Sequence, residues 1–168
     1  MKKFFNQQKG WNCSYSTVYI VNSTVEEVVE TAKEIYRDNL EYTCFNGKIC
    51  DNGLISFETS RTSPESVAII FSQHLKNANV YADTNWDYHE IYVYKNGEKY
   101  NNFSIRWAEN RPEGYGDGSD MYYDCDLIIT DFETNTEIPT GGGMCTEEEY
   151  EMYCNLIKTH KHNVQNDF

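Results

Sequence analysis

The chain has 168 residues, 14 basic against 27 acidic for a formal net charge of −13, with 39% hydrophobic and 15% aromatic residues. That length and aromatic content supply a packed core without covalent staples, which excludes a disordered chain and a disulfide-held miniprotein. A pI near 4.6 opposes direct binding of DNA or RNA, because that affinity rests on Lys and Arg neutralising phosphates.

The opening Met1-Lys2-Lys3-Phe4-Phe5 imitates the basic start of a leader, but Asn6-Gln7-Gln8-Lys9 follows and no apolar stretch succeeds it. The longest apolar run, Val67-Ala68-Ile69-Ile70-Phe71, is too short to span a bilayer, so the expected setting is the cytoplasm, with no membrane partner. The run Thr17–Val21 reads as a strand, and Asn22-Ser23-Thr24 then offers side-chain oxygens to the free amides of a helix start. Val25, Val28, Val29, Ala32, Ile35 and Tyr36 recur at helical spacing, with Ser23 and Glu26, or Thr24 and Glu27, forming a capping box. Residues 41–45 and Leu54–Thr59 read as two further strands, with turns at Asn46-Gly47 and Asp51-Asn52-Gly53. Ser63-Pro64-Glu65 opens a second helix whose apolar stripe is Val67, Ile70, Phe71 and Leu75. A strand at Ala78–Ala82 follows, then a long hairpin of Glu90–Tyr94 and Tyr100–Trp107 turning at Asn96-Gly97. A glycine-rich connection leads to a strand predicted over Tyr122–Thr130, and a last helix is predicted over Glu147–His160, capped by Thr146 with Glu149.

This order predicts an α+β fold, a ferredoxin-like βαββαβ core with an added hairpin, a strand and a C-terminal helix. It reads as a single domain over 1–168, with the core at 11–107 and an acidic extension at 108–168. Three segments carry a resemblance: Trp11-Asn12-Cys13-Ser14 with the Val25-Glu26-Glu27-Val28 helix; Ser56-Phe57-Glu58-Thr59 leading into Ser63-Pro64-Glu65; and the Tyr94-Lys95-Asn96-Gly97-Glu98 turn. In these the chain resembles the YubB-type ferredoxin-like domain of plasmid and phage accessory proteins, over roughly residues 11–107. Arg61-Thr62-Ser63 stands where that family usually has a tryptophan. The resemblance implies a fold and a mobile-element origin. It implies no chemistry, because that family has no established active site.

Charge is distributed unevenly. Residues 1–108 carry a net charge of −2, residues 109–151 carry −12 with Arg111 as their single cation, and residues 152–168 carry +1. In a continuous strand over Tyr122–Thr130, Asp124 and Asp126 share a face about 6.6 Å apart, similar to the spacing of successive phosphates along a DNA strand. With Asp117, Asp120, Tyr122, Glu147 and Glu148 they form the predicted partner-binding set, flanked by Glu109, Glu113, Asp131, Glu133 and Glu137. Its partner would be a basic protein of a nucleic-acid-handling defence system, such as an RNA-guided nuclease. The plainer reading stands beside it: acidic faces serve solubility, and Glu at a helix start is ordinary dipole chemistry.

Cys44 and Cys50, across the turn expected at Asn46-Gly47, are candidate ligands of a structural zinc that Cys13, Cys145, Cys154, His160 or His162 would complete. Their spacing is wider than usual for paired ligands, and small buried thiols are the alternative. Gly114, Gly116 and Gly118 lack the spacing of a dinucleotide loop, and Gly141-Gly142-Gly143 lacks the residues of a phosphate cradle. Asp117, Asp120, Asp124 and Asp126 fit no EF-hand. Tyr92, Tyr94, Tyr100, Phe103, Trp107, Tyr122 and Tyr123 read either as a binding face or as core and cross-strand pairs. The expected function is therefore a non-catalytic inhibitor resembling anti-CRISPR or antirestriction proteins. The alternative is an immunity protein or antitoxin against a cognate nuclease or toxin.

Overall fold

The computed structural model describes residues 2–5, 15–37, 43–85, 89–108, 114–115, 122–124, 127–140 and 144–146. It is a mixed α+β chain that divides into two compact units, Met1–Thr84 with Glu90–Tyr100, and Asn85–His89 with Asn101–Phe168. Among the described residues no helix is long and apolar enough to cross a membrane.

The first unit is built around a seven-stranded sheet. Its strands are β1 (Lys2–Phe4), β2 (Tyr15–Val21), β3 (Cys44–Ile49), β4 (Ile55–Ser60), β5 (Asn79–Asn85), β6 (His89–Lys95) and β7 (Glu98–Lys99), in the order β1-β3-β4-β2-β5-β6-β7. The central strand β2 pairs antiparallel with β4 on one side, Val18 opposite Phe57, and with β5 on the other, Val18 opposite Ala82. Two helices connect the strands, α1 (Val25–Tyr36) after β2 and α2 (Pro64–His74) after β4.

Both helices start where their cap chemistry directs. Thr24 accepts a hydrogen bond from the Glu27 amide at 3.2 Å, and the Glu27 carboxylate accepts one from the Thr24 amide at 2.9 Å, a complete capping box. The Thr24 amide, with the Ser23 and Thr24 hydroxyls that also donate to it, holds the Glu27 carboxyl below its usual range. In α2 the Ser63 hydroxyl accepts from the Ser66 amide at 3.2 Å, and Pro64 takes the first helical position, where a missing N–H costs nothing. The apolar stripes of the two helices, Val28 and Ala32 with Val67, Ala68, Phe71 and Leu75, pack with Val18, Ile20, Ile55, Phe57, Val80 and Ala82 into one core. Phe57 lies at its centre, its ring 5.1 Å from Phe71 and 5.7 Å from Phe5.

Three expectations are corrected in this unit. Asn46-Gly47 does not turn the chain: β3 runs through it, with a register irregularity between Phe45 and Lys48 and Asn46 at φ 51°. The reason is β1, which pairs along β3 with Phe4 opposite Gly47, so that a Cβ at Gly47 would run into the Phe4 carbonyl and ring. The reversal between β3 and β4 comes at Asp51-Asn52-Gly53, where the Gly53 amide donates to the Cys50 carbonyl at 2.9 Å and Gly53 takes φ +82°. The second correction is β1 itself, Lys2–Phe4, where the sequence predicts no strand.

The third is the long hairpin. Asn96 and Gly97, at φ 53° and 80°, make the expected tight turn, yet the pairing is short, Tyr94 opposite Lys99 and Lys95 opposite Glu98. The turn is held against α2, because the Gly97 amide donates to the Ser72 hydroxyl at 2.9 Å. Beyond Tyr100 the chain leaves the sheet, and Phe103–Trp107, expected within the 11–107 core, joins the second unit.

In that unit β8 (Phe103–Trp107), β11 (Leu127–Asp131) and β12 (Thr136–Pro139) form a three-stranded antiparallel sheet in the order β12-β11-β8. Leu127, Ile129 and Asp131 alternate inward along β11, and Ile129 sits between Ile105 and Ile138, all buried. A second small sheet is formed by β9 (Gly114–Tyr115), β10 (Tyr122–Asp124) and β13 (Met144–Thr146), with β10 in the middle. The single strand expected over Tyr122–Thr130 is thus two strands in different sheets. The face-sharing proposed for Asp124 and Asp126 loses its basis, and Asp126 itself lies outside the described residues, as does the helix predicted over 147–160.

Candidate functional site

Of the partner-binding set, Tyr122 and Asp124 are placed, by their backbone, on β10. Tyr122 stands opposite Thr146 of β13 and Tyr115 of β9, and Asp124 stands opposite Met144. The chain immediately before Glu147 is therefore laid alongside the strand that carries Asp124, although the two segments are distant in sequence. Asp117, Asp120, Asp126, Glu147 and Glu148 lie outside the described residues.

The flanking acids divide by role. Asp131 is buried, and its carboxylate accepts from the Thr134 amide at 2.9 Å and the Thr134 hydroxyl at 3.0 Å, so it secures the β11–β12 turn and has no outward-facing charge. Glu137 is exposed on β12 and bonds Arg106 of β8 at 2.9 Å, a cross-strand ion pair of little energetic consequence in water. Glu133 is exposed on the turn. The pattern Asp-x-x-Thr at residues 131–134 is the sequence signal for this turn.

The two candidate zinc ligands do not converge. Cys44 opens β3 opposite Thr59, and Ile49 ends it opposite Ile55 with Cys50 beyond; four residues of β4 at about 3.3 Å each already put about 13 Å between those positions, whereas two thiolates on one zinc sit a few ångströms apart. Cys44 is a core residue, opposite Thr59 and packed in the apolar cluster. Among the described residues no three His, Cys, Asp or Glu side chains gather to hold a metal. Cys13, Cys145, Cys154, His160 and His162 contribute no described side chain.

The aromatic residues sort the same way. Tyr94 belongs to the core of the first unit and Phe103 to the small sheet of the second, both buried, so the core reading holds for these two. The Tyr94 hydroxyl donates to Glu65 at 2.7 Å, tying β6 to the start of α2; this bond, followed by burial, raises its pKa.

Burial pushes the Cys44 thiol from 9.0 up to about 12 and Tyr36 well above the usual phenol range. These groups stay neutral in the fold and ionise at ordinary values when unfolded. The Cys44 contribution to stability is thus complete below about pH 9 and lost as pH rises toward 12, at up to about 1.4 kcal/mol per pH unit, and that of Tyr36 begins to fall only above about pH 10. Urea midpoints measured from pH 7 to 11 are expected to fall above about pH 9, and Cys44→Ala to remove the first part of that decline.

Searches against known protein families, curated proteins and solved structures find no match for this chain.

Proposed function

We propose that this protein is a non-catalytic inhibitor encoded by a mobile element, which binds a basic, nucleic-acid-handling host defence protein and blocks the loading of nucleic acid. The observation that carries this reading is the concentration of charge: residues 109–151 hold a net −12 of the chain's −13. Lys- and Arg-lined grooves that accept phosphates accept such a surface by the same electrostatics. The pairing of β10 with β13 supports it, since it draws the strand carrying Asp124 and the approach to Glu147 and Glu148 together. The first unit serves as scaffold. Its strand order β3-β4-β2-β5, with α1 and α2 as the two connections, supports a ferredoxin-like assignment and is compatible with the YubB-type resemblance.

Order of addition tests the mechanism. Incubated with an RNA-guided nuclease before its target DNA, the protein is expected to prevent DNA binding. Added after the DNA complex has formed, it is expected to leave cleavage largely intact. Equal inhibition in both orders would count against blocked loading.

A further inference from the structure

The β11–β12 turn presents an aromatic side chain that the fold leaves partly in solvent. Phe132 is 42% exposed, and it is the exposed large hydrophobic among the described residues. Four-residue turns ordinarily take polar residues, so an aromatic ring with this much surface in water stands out. The backbone around it is held unusually firmly. The Phe132 amide donates to the Asn102 carbonyl at 3.0 Å, ahead of it Asp131 binds Thr134 through both amide and hydroxyl, and behind it the Thr134 and Thr136 hydroxyls meet at 2.9 Å. Asn135 closes the turn at φ 55°. A buried carboxylate therefore helps to fix the conformation of a loop whose exposed residues are Phe132, Glu133 and Asn135.

We infer that Phe132 is an anchor residue of the partner interface, inserting into an apolar pocket rimmed by Lys or Arg. The inference rests on the reading of this chain as a docking protein and names the chemistry of the partner's surface. The ring has to be matched by an apolar pocket, because an aromatic anchor gains affinity when both sides are desolvated. The rim is expected to be basic, because Glu133 is exposed next to Phe132 in sequence and residues 109–151 carry a net charge of −12. The fixed turn lets the ring dock without losing backbone freedom, which is the ordinary route by which a preformed loop raises affinity.

The test uses the isotopically labelled full chain and two synthetic peptides of equal positive charge, one of Leu and Lys forming an amphipathic helix and one of Ser and Lys. The Leu/Lys peptide is expected to bind about tenfold or more tightly than the Ser/Lys peptide, with its amide shifts centred on residues 131–136, and Phe132→Ala is expected to abolish that preference. Phe132→Trp is expected to retain it. Equal affinity of the two peptides for the parent protein, shifts confined to other regions, or an unchanged preference in Phe132→Ala would each overturn the inference. Because no nuclease enters this experiment, its result is independent of the proposed target. Conversely, a nuclease that the parent protein inhibits, and that Phe132→Ala inhibits equally well, would remove the anchor and leave the inhibitor reading standing.

Discussion

Phe57→Ala is expected to destabilise the first unit by about 3–5 kcal/mol, a large part of the roughly 5–15 kcal/mol that holds an ordinary domain together. Phe57 is 1% exposed, lies opposite Val18 on the central strand pair and meets Phe71 and Phe5 by ring contacts. Truncation removes those contacts and leaves a cavity between sheet and helices. Urea denaturation followed by circular dichroism is expected to show the midpoint sharply lowered or the transition lost. Phe132→Ala, the same change at an exposed turn, is expected to leave the midpoint nearly unmoved. A shift under about 1 kcal/mol for Phe57→Ala would mean that the core is not assembled around this ring.

The second large effect concerns charge. Reversing Asp124, Asp126, Glu147 and Glu148 to lysine moves the net charge from −13 to −5, two units at each site, and is expected to weaken inhibition on the order of 100-fold or more, since each acid that met a basic groove now opposes it. The control is a comparable reversal elsewhere. Glu26, Glu30 and Glu34 lie exposed on α1 and take no part in the capping box; their reversal is expected to leave inhibition within a few-fold of the parent. Equal losses in the two variants would show that bulk charge, and not the 109–151 stretch, matters. No loss in the first would remove acidic docking.

Where the sequence was legible, local chemistry and tertiary packing agreed. Thr24 with Glu27, and Ser63 with Pro64, mark helix starts by their own hydrogen-bonding capacity, and Val18, Ile20, Phe57 and Phe71 are apolar at positions that only a buried face explains. It was illegible where a distant strand decided the matter. Asn46-Gly47 has the residues of a turn, and nothing within a few positions reveals that Phe4 lies against Gly47 and keeps the strand going. The run from Tyr100 to Trp107 looks like the second arm of a hairpin until β11 is available as a better partner, Ile105 meeting Ile129. Tyr122 to Thr130 reads as one strand because period-two alternation cannot register that its halves pair with different neighbours.

The candidate site was legible as charge and not as geometry. Net charge by segment needs only counting, whereas the roles of individual acids depend on what they meet. Asp131 is absorbed by Thr134 and Glu137 by Arg106, and neither partner is distinguishable by composition. Cys44 and Cys50 show the converse: paired by an expected turn, they are parted by the strand that replaces it. Phe132, one aromatic among many, gains meaning only when the other aromatic side chains among the described residues are seen to be buried or half-buried.

The most direct measurement is target-DNA cleavage by a panel of RNA-guided nucleases and restriction enzymes, with and without the protein, at low and at high salt. The account expects inhibition of one member or a few at low salt, relieved as salt screens the acidic contacts. Normal cleavage by every enzyme at both salt concentrations would contradict it, and would direct attention to a cognate toxin encoded beside this chain.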